Sequence, residues 1–188
     1  MDGSSFSGRF SGGSGLPPEG VLETPRLVLR QARTDDVDVY TRLWTDPEVR
    51  RFLGGPVDEG RLRLRQQRFA GRPRVFSVTR GRDGSVIGTV ALERAGRHGG
   101  RWEMSYSFLT ECWGRGYGKE AVGAVVGWVL DAAPAPDASL IAVTQEANVR
   151  SRRLLDTVGL CVRERFVESG APQVLYGAGC TGLAAGPG

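Results

Sequence analysis

Apolar and polar residues alternate through RLVLRQA (26–32), the two-residue period of a strand with one face buried. Thr34 and Asp35 then offer side-chain oxygens to start a helix, and Val37, Tyr40, Leu43 and Trp44 follow at helical spacing. A second helical stretch covers residues 57–70; on it Arg61, Arg65, Arg68 and Arg72 fall on one stripe, most simply a solvated face. Residues 74–79 and 86–93 read as strands joined by a turn at Asp83-Gly84, and 102–109 as a third. The spacing of Val122, Val125, Val126, Val129 and Leu130 predicts a helix over 116–130. A short strand (140–144) follows, then a helix capped by Asn148 and stopped by Gly159. Residues 160–168 and 174–176 close as a hairpin around Ser169-Gly170.

That order implies an α+β domain: a mixed, mostly antiparallel sheet of about seven strands, flanked by about four helices, with one strand–helix–strand crossover. A chain of 188 residues with 40% hydrophobic and 24% charged residues fits one globular unit. Its expected bounds are 21–178, between a Gly/Ser-rich flexible tail at 1–20, without the apolar stretch of a secretory signal, and a loose end at 179–188. No apolar run reaches the length of a membrane span, which argues against a membrane protein.

The formal charge of +4 raises the question of nucleic acid, but of 25 basic residues Lys119 is the only lysine. Such a skew reads as a coding preference for arginine, and no strand interleaves aromatic with basic residues, so nucleic-acid binding is not expected. Cys112, Cys161 and Cys180 lack paired or metal-ligating spacing, which implies reduced thiols and a cytoplasmic protein. His98 is the single histidine, too little for a histidine-based metal centre, so no metal is expected.

The informative stretch is CWGRGYGKEA (112–121), three glycines within five positions before a helix. Such a turn exposes backbone N–H groups beside a positive helix end, the physical basis of a phosphate site, or else lets a helix pack closely. A phosphate-binding loop of the Walker type would need glycine at Trp113 and Ser or Thr at Glu120; a dinucleotide fingerprint would need glycine at Lys119. The neighbouring strand WEMSYSFL sets Trp102, Met104, Tyr106 and Phe108 on one face and Glu103, Ser105 and Ser107 on the other, a polar lining for a cleft. In the last helix Ser151 shares the apolar stripe of Leu154, Leu155 and Val158, so it faces the sheet.

Five blocks together resemble the GNAT superfamily of acyl-CoA-dependent N-acyltransferases, and most closely its Rim-type branch of ribosomal-protein N-terminal acetyltransferases. They are LETPRLVLRQARTDD (22–36), TDPEVRRFLG (45–54), EMSYSF (103–108), WGRGYGKEA (113–121) and NVRSRRLLDTVGL (148–160). Three departures stand out: Trp113 where many members carry Gln or Arg, although Trp is usual in the branch named; Leu155 where many carry a tyrosine general acid; and Ser105 where glycine is common.

The resemblance implies that acetyl-CoA is the acyl donor, its pyrophosphate held by the backbone of Arg115, Gly116, Tyr117, Gly118 and Lys119. The pantetheine arm would enter where the strand before the turn splays from its neighbour, beside Ser105 and Tyr106, with Asn148 bonding the arm. Glu103 is then the expected base for the amine, directly or through water, a role worth about 10²–10⁴-fold. Ser151 is the expected donor to the departing sulfur, and N–H groups beside Met104 to Tyr106 an oxyanion hole. The acceptor, a protein N-terminus or a small-molecule amine, would lie near Trp44, Phe52 and residues 166–176. A non-catalytic acyl-CoA-binding domain, transfer of a larger group such as succinyl, and a homodimer all stay open at this point.

Overall fold

The computed structural model describes residues 21–96, 99, 101–132 and 140–178; both expected tails and the loop histidine lie outside them. The elements run β1 (Leu22–Glu23), β2 (Leu27–Gln31), α1 (Val37–Thr45), α2 (Pro47–Arg50), α3 (Glu59–Arg68), β3 (Val75–Arg80), β4 (Val86–Ala95) and β5 (Arg101–Phe108). There follow α4 (Tyr117–Ala132), β6 (Leu140–Gln145), α5 (Val149–Thr157), β7 (Cys161–Glu168) and β8 (Ala171–Gly177). They form one sheet in the order β1-β2-β3-β4-β5-β6-β8-β7. Every described strand pair is antiparallel except β5 with β6, which the α4 crossover joins in parallel.

The extra strand and helix relative to the sequence reading are both very short. β1 contributes two residues, pairing Leu22 with Leu29 and Glu23 with Val28, too few to show a period. α2 is a single turn held by its cap: Asp46 Oδ1 accepts from the N–H groups of Glu48 (2.8 Å) and Val49 (3.2 Å), with Pro47 at the first helical position. The expected Thr34/Asp35 cap is also different. Those residues make a 3₁₀ turn with Asp36, whose buried carboxylate bonds elsewhere.

Two cores hold helices on opposite faces of the sheet. Val122, Val125 and Val129 of α4 pack with Leu29, Val78 and Val90, while Ala32, Tyr40, Phe69 and Val75 seat α1 and the end of α3 on the other face. In β3 the alternation is explicit: Val78 joins the α4 core, and Ser77 turns toward Tyr40.

One glycine sets the packing of β4 on β5. A Cβ on Gly88 would lie 2.5 Å from the Phe108 ring and 2.6 Å from the Ser107 carbonyl oxygen, which is backbone and cannot swing aside. Gly88→Ala is expected to lower stability by about 1–3 kcal/mol, the usual cost of overpacking, as read by urea denaturation.

Candidate active site

The parallel pairing of β5 and β6 stops almost where it starts. Trp102 pairs with Leu140 and Glu103 with Ile141; beyond them β5 runs on beside β4 while β6 turns its pairing to β8. The sheet therefore forks at Glu103. Leu109 donates its N–H to Ile87 on the β4 side, so by alternation the N–H groups of Met104 and Tyr106 point into the fork. A cavity of ≈ 1150 Å³ fills the fork and extends over both sheet faces.

At one end lies the glycine turn. Gly114 (φ 73°) and Gly116 (φ 78°) take left-handed conformations open to glycine at little cost, turning the chain into the N-terminus of α4. Gly116, Tyr117, Gly118 and Lys119 line the cavity; Arg115 does not, and its carbonyl instead accepts from Arg26 Nη1 (3.0 Å). Gly118 serves packing as well: a Cβ there would stand 2.9 Å from Leu154 Cδ1 on α5. The turn is clamped from the N-terminal segment. Glu120 accepts from Thr24 Oγ1 (2.6 Å), the Arg26 N–H (2.9 Å) and Arg26 Nε (2.6 Å). Burial pushes the Glu120 carboxyl up, but those hydrogen bonds together hold it below its usual range. Trp113 anchors the other side, donating Nε1–H to the Phe108 carbonyl (2.8 Å) with the Arg150 guanidinium 4.1 Å from its ring centroid.

At the fork, α5 supplies a hydroxyl. Asn148 Oδ1 caps the helix by accepting from the Ser151 N–H (3.1 Å), leaving the amide nitrogen as its donor toward the cavity it lines. Ser151 Oγ lies 2.7 Å from Tyr106 Oη, and both residues line the cavity. Burial raises the Tyr106 phenol to about 12 despite its hydrogen bond with Ser151, so it stays protonated through the neutral range. Leu155, where a tyrosine acid would stand, is buried in the core and contributes nothing polar. The phenol arrives from β5 instead, an arrangement the sequence reading missed.

Strand alternation puts Ser105 and Ser107 on the opposite face, beside Thr89 and Ala91 of β4, and all four line the cavity. Glu103 shares that face at the foot of the fork, directly opposite Glu93. Glu93 lines the cavity and Glu103, the expected base, does not. Above this face Trp44 stands among Tyr40 (5.5 Å) and Phe69 (5.8 Å), with Phe52 further along the wall. Tyr40 Oη donates to Thr89 Oγ1 (3.1 Å) and lies 3.3 Å from Ser77 Oγ, which donates to Asp36 (2.6 Å). Arg30 closes this network with two 2.8 Å bonds to Asp36.

The cysteines divide. Cys112 is free and buried, and burial pushes its thiol up, as for an unreactive packed residue. Cys180 lies outside the described residues. Among the described residues no group of three His, Cys, Asp or Glu could hold a metal, and no helix is long and apolar enough to cross a membrane.

Residues 26–160 match the acetyltransferase (GNAT) domain family. Among curated proteins, the uncharacterized N-acetyltransferase p20 of Bacillus licheniformis is 29% identical over 114 residues, 57% of this chain and 64% of that one. A GNAT-family acetyltransferase from Bacillus anthracis superposes with a TM-score of 0.71 at 18% identity, over 84% of this chain and 97% of its own. The aminoglycoside acetyltransferase AAC(6')-Ib, solved with coenzyme A, superposes with a TM-score of 0.61 at 16% identity, over 80% and 92%. The family match spans Arg26 and Glu120 of the clamp, α1 to α3, the glycine turn and the Ser151 helix, and by it the chain belongs to the GNAT acetyltransferases.

Proposed function

We propose that the protein moves an acetyl group from acetyl-CoA to a primary amine by direct attack in a ternary complex. The observation that carries this reading is the fork: its cavity joins the glycine turn at one end to the Ser151–Tyr106 hydroxyl pair at its centre and continues into an aromatic-lined chamber. The coenzyme A bound to AAC(6')-Ib, a relative in fold, supports the donor. The blocks at 22–36 and 113–121 support a place in the Rim-type branch, with a protein N-terminus or a small molecule as acceptor.

The chemistry divides among the chain's own groups. N–H groups of Gly116 to Lys119 at the α4 N-terminus receive pyrophosphate oxygens, and the Asn148 amide bonds the pantetheine arm. The amine nitrogen attacks the thioester carbon as the C–S bond breaks. Met104 and Tyr106 N–H groups stabilise the charge that develops on the carbonyl oxygen. Glu103 takes the amine's proton through water, and the Ser151 hydroxyl, held by Tyr106, supplies one to the sulfur.

Calorimetric titration with acetyl-CoA tests the site, with micromolar binding expected; a well-folded protein that fails to bind would sink the reading. Glu103→Gln tests the base. A glutamine still orients water, so kcat is expected to fall about tenfold while acetyl-CoA affinity holds. An unchanged kcat across neutral and mildly alkaline pH removes Glu103 from the mechanism.

A further inference from the structure

The α1–α3 chamber is strongly cationic. Arg50, Arg51, Arg65, Arg68 and Arg72 line it, against the carboxylates Glu48 and Glu93. Arg72 and Glu93 neutralise each other at 2.8 Å. The arginine stripe of Arg61, Arg65, Arg68 and Arg72 is exposed, as its spacing suggests, but its members have different neighbours. Arg61 and Arg63, away from the chamber, pair with Asp58 (3.3 Å) and Glu59. Arg65 and Arg68, facing it, form no ion pair among the described residues.

The inward pair is backed by a further cation. Arg50 is half-buried and spends its donors on the carbonyls of Gly55 (2.9 Å) and Leu53, not on a carboxylate. Burial and the nearby charge of Arg65 both press the Arg50 guanidinium toward its neutral form. Arg65 is itself placed, its guanidinium 5.7 Å from the Trp44 ring centroid. With Glu93 paired to Arg72, Arg50, Arg65 and Arg68 outnumber Glu48 at this wall, and such like charges are unfavourable in the empty protein and relieved by an anion. Guanidinium groups also match the planar geometry of carboxylate and phosphate oxygens.

We propose that the amine acceptor carries an anionic group, a carboxylate or a phosphate, which Arg65 and Arg68 receive while its amine points to the fork. This rests on the acetyltransfer reading above and names its substrate class. Donor and acceptor recognition are divided accordingly: backbone N–H groups of the glycine turn take the phosphates of the donor, and guanidinium groups of α3 take the charge of the acceptor.

The test is calorimetric titration of the CoA-loaded protein with matched amines, β-alanine against propylamine and phosphoethanolamine against ethanolamine, the two pairs separating carboxylate from phosphate. The anionic member of at least one pair is expected to bind about tenfold more tightly, the worth of one charge-assisted hydrogen bond. That preference should shrink as salt rises. In the double variant Arg65→Gln/Arg68→Gln the ratio should contract toward one, with CoA affinity retained as the check on folding; Arg63→Gln should leave the ratio as it is. Equal affinities within both pairs, no binding of any member, or a ratio indifferent to the double substitution would overturn the proposal. So would a charge preference that follows the donor, succinyl-CoA over acetyl-CoA, and disappears with the two arginines. Should CoA itself not bind, the acetyltransfer reading fails separately, and the same titrations on the free protein still report the anion preference.

Discussion

Ser151→Ala is expected to lower kcat by about 10²-fold, the lower part of the range for a positioned proton donor, with little change in acetyl-CoA affinity. The reason is placement. Ser151 Oγ is held 2.7 Å from Tyr106 Oη at the fork, and the serine's backbone N–H is already satisfied by Asn148. Alanine therefore removes the hydroxyl without uncapping α5 or opening a large hole. Tyr106→Phe makes the complementary change: it leaves the serine hydroxyl but frees its rotor, so kcat should fall less than in Ser151→Ala. The double variant distinguishes a unit from two independent groups. If the hydroxyls act together, Ser151→Ala/Tyr106→Phe is no slower than Ser151→Ala alone. Single-turnover acetylation by each variant, measured at saturating acetyl-CoA, reads the chemical step directly. A wild-type rate in Ser151→Ala would dismiss the serine, and additive losses would dismiss the coupled pair.

The strand and helix order was legible because the signals are local. Alternation marked β2 and β5, helical spacing marked α4, and Asn148 before a helix marked the cap that α5 uses. Elements without a period of their own, the two-residue β1 and one-turn α2, left no such mark. Phase along a single element, β5 for Ser105 and α5 for Ser151, was enough to turn each toward the side that lines the cavity, since each depends only on its own element's period. What phase could not supply was depth. Glu103 and Ser105 share a face, yet the fork begins between them, and that boundary depends on where β6 leaves β5. Arg26 and Glu120 are 94 residues apart in sequence, so the clamp on the glycine turn had no local signature. The α3 arginines had a visible stripe but an ambiguous direction. Only the packing of α3 against α1 decides that Arg65 and Arg68 face a cavity.

Asp36→Ala is expected to cost about 3–5 kcal/mol, the scale for breaking a buried ion pair by removing one partner. Against the usual 5–15 kcal/mol of a domain, the variant should sit close to the edge of folding. Asp36 is 4% exposed and receives both Arg30 bonds, the Ser77 hydroxyl and the Arg33 N–H, so its loss strands one cation and two donors together. Asp36→Asn keeps the shape and should cost less, which separates charge from packing. The pH dependence gives an independent reading. Burial favours the neutral acid, but the hydrogen bonds from Arg30, Arg33 and Ser77 outweigh it and hold the carboxyl below its ordinary value. A carboxyl lowered in the folded state contributes stability that is complete above its unfolded pKa, about 3.9, and is lost as pH falls through the folded one. Urea midpoints measured from neutral pH down through this range should therefore decline less steeply in Asp36→Asn than in the wild type. The network also reaches function, since Ser77 connects Asp36 to Tyr40 and Tyr40 to the Thr89 wall of the acceptor chamber. Where Asp36→Asn remains folded, KM for the amine should rise with KM for acetyl-CoA unchanged. Parallel changes in both constants would instead show a general loosening of the sheet.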